Sequence, residues 1–315
     1  MSDNDGMGNG PLAVIGAAVL WGTAGTIGLL VSTGSASDAT ALAAARLVIG
    51  GAALAFVARR GLRRVIKPGL LLGAVAVAAY QLCFFAAVTR TGVAIGSVVA
   101  IGSGPVFTGL LSWLMQGRRP TRRWTLTTAV AICGCAALIV GGGAEAGTRA
   151  VSGVLFALLG GLVYAFYAVM AARAIGRGGD SDAVMGVMFG GAAIIMLPVL
   201  ALTWPGWAAE PRALLVVLYL GLGTTALAYL LYGRGLRTTP VATAATLALT
   251  EPAVAALLGL VVLGERLSPV SIAGLVLLGA SLLAAAVPER GPEPKTEGPE
   301  RAADQGPEME LESQP

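Results

Sequence analysis

Two ionisable side chains, Arg46 and Glu251, stand inside long apolar runs of an otherwise sparsely charged chain. A guanidinium offers its N–H groups in a planar fork that matches a carboxylate. A carboxylate accepts from an amine or carries an exchangeable proton. In hydrocarbon either group is costly unless it is paired or hydrated. The two therefore point to a wet pocket, with Arg46 suited to a substrate carboxylate and Glu251 to a substrate amine or a coupling proton. A structural ion pair between two parts of the chain is the competing reading.

Other apolar runs carry side chains that could complete such a pocket: Trp21, Tyr80, Gln81, Phe84, Tyr164, Tyr167, Tyr229 and Tyr232. Tyr164 and Tyr167 are three apart, as are Tyr229 and Tyr232, so each pair shares one helix face. Ser97, Ser103, Thr243, Thr246 and Thr250 add hydroxyls. Packing or interfacial anchoring is the plain alternative for each aromatic, and a bond to helix backbone for each hydroxyl. Pro105 and Pro252 also interrupt apolar runs. A proline inside a helix releases the carbonyl four residues earlier, here Ile101 or Ala248. In lipid such a carbonyl needs protein or water beside it. Gly104, Pro105 and Pro252 are thus candidate hinge residues next to a central site.

The elements that must hold these groups are legible from composition. The chain has 315 residues, 56% apolar and 12% charged, where soluble domains carry about 25% charge. Ten apolar runs span 11–31, 39–58, 69–88, 92–116, 124–142, 151–172, 183–203, 213–233, 241–263 and 269–287. Each has the roughly 20 residues that cross about 30 Å of hydrocarbon as a helix. No Lys or Arg precedes the first run, which is too long for a signal peptide and reads as a retained helix.

Several chemistries are disfavoured. The chain has no histidine, and its three cysteines (Cys83, Cys133 and Cys135) lie in apolar runs with no metal-site spacing. No phosphate-cradling loop of the G-x-x-x-x-G-K-[ST] type occurs. Neither an enzyme nor a metal or cofactor is expected.

Sixteen of the 21 Lys and Arg residues fall on one side of a ten-helix arrangement: Arg59, Arg60, Arg63, Arg64 and Lys67; Arg118, Arg119, Arg122 and Arg123; Arg173 and Arg177; Arg234 and Arg237; Arg290, Lys295 and Arg301. Positive loops stay in the cytoplasm, so residues 1–10 and the C-terminus are expected there, in the plasma (inner) membrane of a cell. The basic residues read as topology signals, not as a nucleic-acid surface. Residues 288–315 hold eight acids and three bases among prolines, and are expected to be a disordered cytoplasmic tail.

A shift of 147 residues lays Arg90–Thr91 on Arg237–Thr238, Pro105 on Pro252, Leu110–Leu111 on Leu257–Leu258, and Gly117 on Gly264. Residues 11–142 and 151–287 thus read as two copies of a five-helix unit. Five is odd, so the second copy enters the membrane from the opposite face. The expected fold is an all-α integral membrane protein, ten transmembrane helices arranged as two five-helix inverted repeats. In that arrangement a site lies near the midplane, between the halves.

On Trp21–Gly22, Arg46, the Ala-rich third and fourth runs leading to Pro105, Glu251–Pro252 and Gly264–Glu265, the chain resembles the drug/metabolite transporter superfamily, in particular the ten-helix EamA-type transporters. The likeness spans residues 11 to 287. It departs from the family where Gly117–Arg118 follows the fourth run in place of Gly-Glu. The resemblance implies secondary transport of small polar organic metabolites, often export of amino acids or related compounds, by alternating access without ATP. A transport-inactive sensor or scaffold and a drug efflux pump are the alternatives. The expected partners are a small-molecule substrate and the lipid bilayer; a coupling proton and a homodimer are left open.

Overall fold

A computed structural model of the protein describes residues 9–28, 36–117, 119–141, 150–203, 210–262, 264 and 266–287. Residues 1–8, the tail 288–315, Arg118 and Glu265 lie outside the described residues. Among those described, ten helices are long and apolar enough to cross a membrane. They are α1 (Asn9–Gly28), α2 (Ala36–Val57), α3 (Pro68–Thr91), α4 (Val93–Gln116), α5 (Arg122–Val140), α6 (Ala150–Gly176), α7 (Ser181–Leu202), α8 (Pro211–Gly235), α9 (Val241–Val262) and α10 (Pro269–Ala286).

Their ends follow local chemistry. Pro68, Pro211 and Pro269 open α3, α8 and α10 in the first turn, where a missing N–H costs nothing. Asp180 accepts from Ala183 N at the start of α7. The Thr121 hydroxyl accepts from Trp124 N at the start of α5, and Ser268 does the same for Ser271 N at the start of α10. These last two caps stand 147 residues apart, the same shift that superimposes Pro105 on Pro252. Outward faces keep large apolar side chains uncovered, among them Leu202, Val261 and Leu283. Hydrocarbon is the solvent such faces need.

Helix pairing repeats between the halves. α3 packs on α6 as α8 packs on α1; α4 packs on α6 as α9 packs on α1; α3 packs on α7 as α8 packs on α2. The contacts α2–α7 and α5–α10 are their own counterparts. Exchanging each helix for the one five places along leaves this set unchanged, as an inverted five-helix repeat requires. The main core runs through α1, α2, α3 and α6 to α9, with Leu47, Tyr167, Phe189 and Tyr232 fully buried. A smaller core joins α5 and α10 to Leu249 and Ala253 of α9. There the backbones nearly touch: a Cβ on Gly134 would lie 2.7 Å from Leu278 N, and one on Gly274 would lie 2.7 Å from Gly134 O.

Two helices are irregular. α9 consists of Val241–Leu247 and Thr250–Val262, separated by a turn at Ala248 and Leu249. The sequence predicts matching kinks at Pro105 and Pro252. Instead α4 runs unbroken through Pro105, and the break in α9 precedes Pro252. Pro252 sits in the first turn of the second segment, where no helical hydrogen bond is lost. The Ala248 carbonyl, expected to be free, accepts from Glu251 N at 3.0 Å. In α8, Tyr219–Leu227 forms a π-helix, with the Thr225 hydroxyl donating five residues back to Leu220 O at 3.0 Å.

The glycine crossing gives a test of the fold. Gly274→Val should lower the thermal midpoint in detergent by the equivalent of about 1–3 kcal/mol, the cost of overpacking. Gly279→Ala on the same helix, where a Cβ meets open space, should leave it unchanged. Fluorescence-detected size-exclusion after heating reads both.

Candidate functional site

A cavity of about 60 Å³ lies near the middle of the spans and draws its walls from both halves. Trp21 (α1), Arg46 (α2), Tyr80 (α3), Ala100 and Ile101 (α4) come from the first half; Tyr164 and Tyr167 (α6), Tyr229 (α8), and Ala245, Ala248 and Glu251 (α9) come from the second. The two intramembrane charges therefore share one space.

The break in α9 positions Glu251. The carboxylate stands in the first turn of the segment Thr250–Val262, where free backbone N–H groups and the helix dipole favour negative charge. Arg46 faces it from α2, and the two charges act on one another through the cavity. They do not form an ion pair: among the described residues the one salt bridge joins Arg234 to Asp182, at 2.8 Å, near the start of α7 and the end of α8. The Arg46 Nε and the Trp21 Nε1 are buried without a hydrogen-bond partner. Buried donors are seldom left unmet, and both belong to residues of the cavity wall that also holds the Glu251 carboxylate.

Aromatic rings form the rest of the wall and brace one another. The Tyr167 and Tyr229 hydroxyls are 3.2 Å apart, and those of Tyr164 and Tyr232 are 3.4 Å apart. The Trp21 ring lies 5.0 Å from Tyr229 and 5.5 Å from Tyr232. Phe189 of α7 backs Tyr229 with ring centroids 3.8 Å apart. Tyr80 packs against Tyr164 at 5.9 Å and against Phe84 at 6.0 Å. A space of this size has room for several waters, each needing about 10–15 Å³ of such volume. The space is narrow, and admitting a solute of metabolite size requires helices or side chains to move.

Other sequence candidates fall elsewhere. Gln81 is buried in α3 but does not line the cavity, and neither does Thr250. Ser103 donates to Ala100 O at 3.2 Å and lies against Gly161 of α6. Gly104 supports the wall from behind: a Cβ there would sit 3.2 Å from the Tyr164 ring. Thr246 shares a 2.8 Å hydrogen bond with Thr128 of α5. Sequence reasoning did not find Ala100, Ala245 or Phe189, whose types carry no signal of polar chemistry; it reached Ile101 and Ala248 only through their backbone carbonyls. It also missed the π-helix, for which Gly221 and Gly223 are the nearest hint.

A ten-helix bundle with a twofold repeat and a charged cavity at mid-depth defines a class of membrane transporter. The model of the EamA-like transporter family matches residues 8–140 and again residues 151–286. The chain belongs to this family, within the drug/metabolite transporter superfamily. It is 38% identical over 277 residues to the uncharacterized transporter YwfM of Bacillus subtilis (strain 168), covering 86% of this chain and 92% of that one. It is 28% identical over 239 residues to a probable terminal-alkyne amino-acid exporter of Streptantibioticus cattleyicolor, covering 74% and 79%. A crystal structure superposes with a TM-score of 0.74 at 22% identity, over 88% of this chain and 96% of the other; that likeness concerns the fold.

The unpaired state of Arg46 separates a binding role from a structural one. Arg46→Met removes a buried charge with no hydrogen-bond partner on its Nε, so thermal stability should fall by no more than about 1 kcal/mol or should rise. A pair that held the halves together would cost about 3–5 kcal/mol when broken. A melting curve of the purified variant decides between them.

Proposed function

We propose that this protein is a secondary active transporter that exports small polar organic metabolites, amino acids or related compounds, by alternating access around the central cavity. Arg46 takes the substrate carboxylate, with the Trp21 N–H beside it. Glu251 takes the substrate amine and alternates with a coupling proton. The tyrosines enclose the remainder of the solute and exclude water. The break in α9, Gly104 and Pro105 give the enclosing helices room to move. The Arg-rich loops and both termini face the cytoplasm, following the bias of positive charge.

One observation carries this reading: a guanidinium and a carboxylate share a cavity between the halves without pairing to each other. A pocket for an uncharged solute would have no use for either, given their cost in the membrane. A zwitterion satisfies both charges. The relative named as a probable terminal-alkyne amino-acid exporter supports the substrate class.

Purified protein in proteoliposomes, loaded with a mixture of unlabelled amino acids, should show saturable counterflow of a labelled one. Absence of counterflow across amino acids and amines removes the reading. Glu251→Gln keeps the shape of the side chain and removes its proton. In that variant an imposed proton gradient should no longer drive accumulation, whereas the parent responds; an unchanged response removes Glu251 from coupling.

A further inference from the structure

A second cavity, of about 630 Å³, opens on the face that carries the Arg-rich loops. It lies between the halves. Ser112 of α4 and Arg123, Trp124 and Thr127 of α5 form one side; Thr239 before α9 and Thr243 within it belong to the other. The Trp124 Nε1 and the Thr239 Oγ1 are both buried and have no hydrogen-bond partner. Both residues belong to the wall of this space.

The two cavities are joined by one short element. The first segment of α9 presents Ala242 and Thr243 to the outer cavity, and Ala245, with Ala248 just beyond it, to the central one. Between these positions Thr246 is fully buried, and its hydroxyl meets that of Thr128 at 2.8 Å. The segment ends at the Ala248–Leu249 turn, so it can swing without bending a continuous helix.

The repeat gives an independent comparison. The 147-residue shift carries Trp124 onto Ser271 and Ala285 onto Leu138. On the opposite face the Ser271 hydroxyl donates to Leu138 O at 2.9 Å, and a Cβ on Gly141 would lie 2.7 Å from Ser271 N. That seam is shut. On the Arg-rich face, the corresponding Trp124 and Ala285 line open space.

We infer that the outer cavity is the vestibule through which solute reaches the central cavity, and that the Thr128–Thr246 hydroxyl pair bars the way between them. The vestibule suits a carboxylate-bearing solute, met by the Arg119 and Arg123 guanidinium groups of its wall. Arg123 is held in place through one nitrogen, Nη2, which donates to Ala284 O at 2.8 Å and to Val287 O at 3.1 Å. The inference rests on the transporter reading for its purpose but is tested without a substrate.

In a background with Cys83, Cys133 and Cys135 replaced by alanine, Ala245→Cys reports access to the central cavity. Membrane vesicles of defined orientation are treated with an impermeant methanethiosulfonate. Labelling should come from the Arg-rich face. Adding Thr246→Val or Thr128→Val, each nearly isosteric and lacking the hydroxyl, should raise its rate about two- to tenfold, the effect of one buried hydrogen bond on an opening equilibrium. Labelling only from the opposite face, or rates unchanged in both valine variants, overturns the inference. Counterflow is scored separately on the unaltered protein. Labelling as expected without flux removes the transport reading and leaves the vestibule; flux without labelling from this face removes the vestibule and leaves transport.

Discussion

Charge in hydrocarbon must be hydrated, paired or absent, and the rest of this molecule is arranged around that constraint. Two charged side chains lie at mid-depth among residues that are overwhelmingly apolar. Each reaches a polar environment only because seven helices from both halves surround one cavity. The same condition governs the backbone. α9 is interrupted at Ala248 and Leu249, and an interrupted helix in a bilayer must sit against protein or a wet space. Here the interruption lies at the cavity, and it supplies the helix start that favours the Glu251 carboxylate.

Repetition provides the symmetry, and departures from it provide the specific site. The capping residues Thr121 and Ser268 are equivalent, as are the crossings of α3 on α6 and α8 on α1. The charges are not: Arg46 and Glu251 have no matching partners at the repeat shift. Nor do the two prolines act alike, since Pro105 lies within a continuous helix and Pro252 follows a break. A duplicated unit thus encloses a site that is itself asymmetric, as a ligand with different ends demands.

Much of the fold could be read from the chain because lipid imposes a strong pattern. A run of some twenty apolar residues has few outcomes, and the Arg-rich loops alternate with loops that have little positive charge. Arg46 and Glu251 stood out because ionisable residues are rare in such runs. Trp21, Tyr80, Tyr164, Tyr167 and Tyr229 also belong to the cavity wall. Gln81, Ser103 and Thr250 do not, because helix phase, not residue type, decides which way a side chain turns. Ala100 and Ala245 were invisible for the opposite reason: a wall made of methyl groups looks like any other helix face. The interruption of α9 was read as a consequence of Pro252, whereas the chain has already turned when it reaches that residue. Only three-dimensional packing reveals the Thr128–Thr246 contact, across 118 residues of sequence.

The wide turns of α8 have a mechanical consequence. A π-helical stretch contains more residues per turn than its α-helical equivalent, so Tyr219–Leu227 holds slack within a single unbroken rod. Tyr229 and Tyr232 follow directly. Tightening even one of those turns would rotate both rings about the rod's axis by roughly 100°, the angle of one helical residue, and would carry the end of α8 round with them. The aromatic lining of the pocket is therefore set by the pitch of one helix as much as by the residues that compose it.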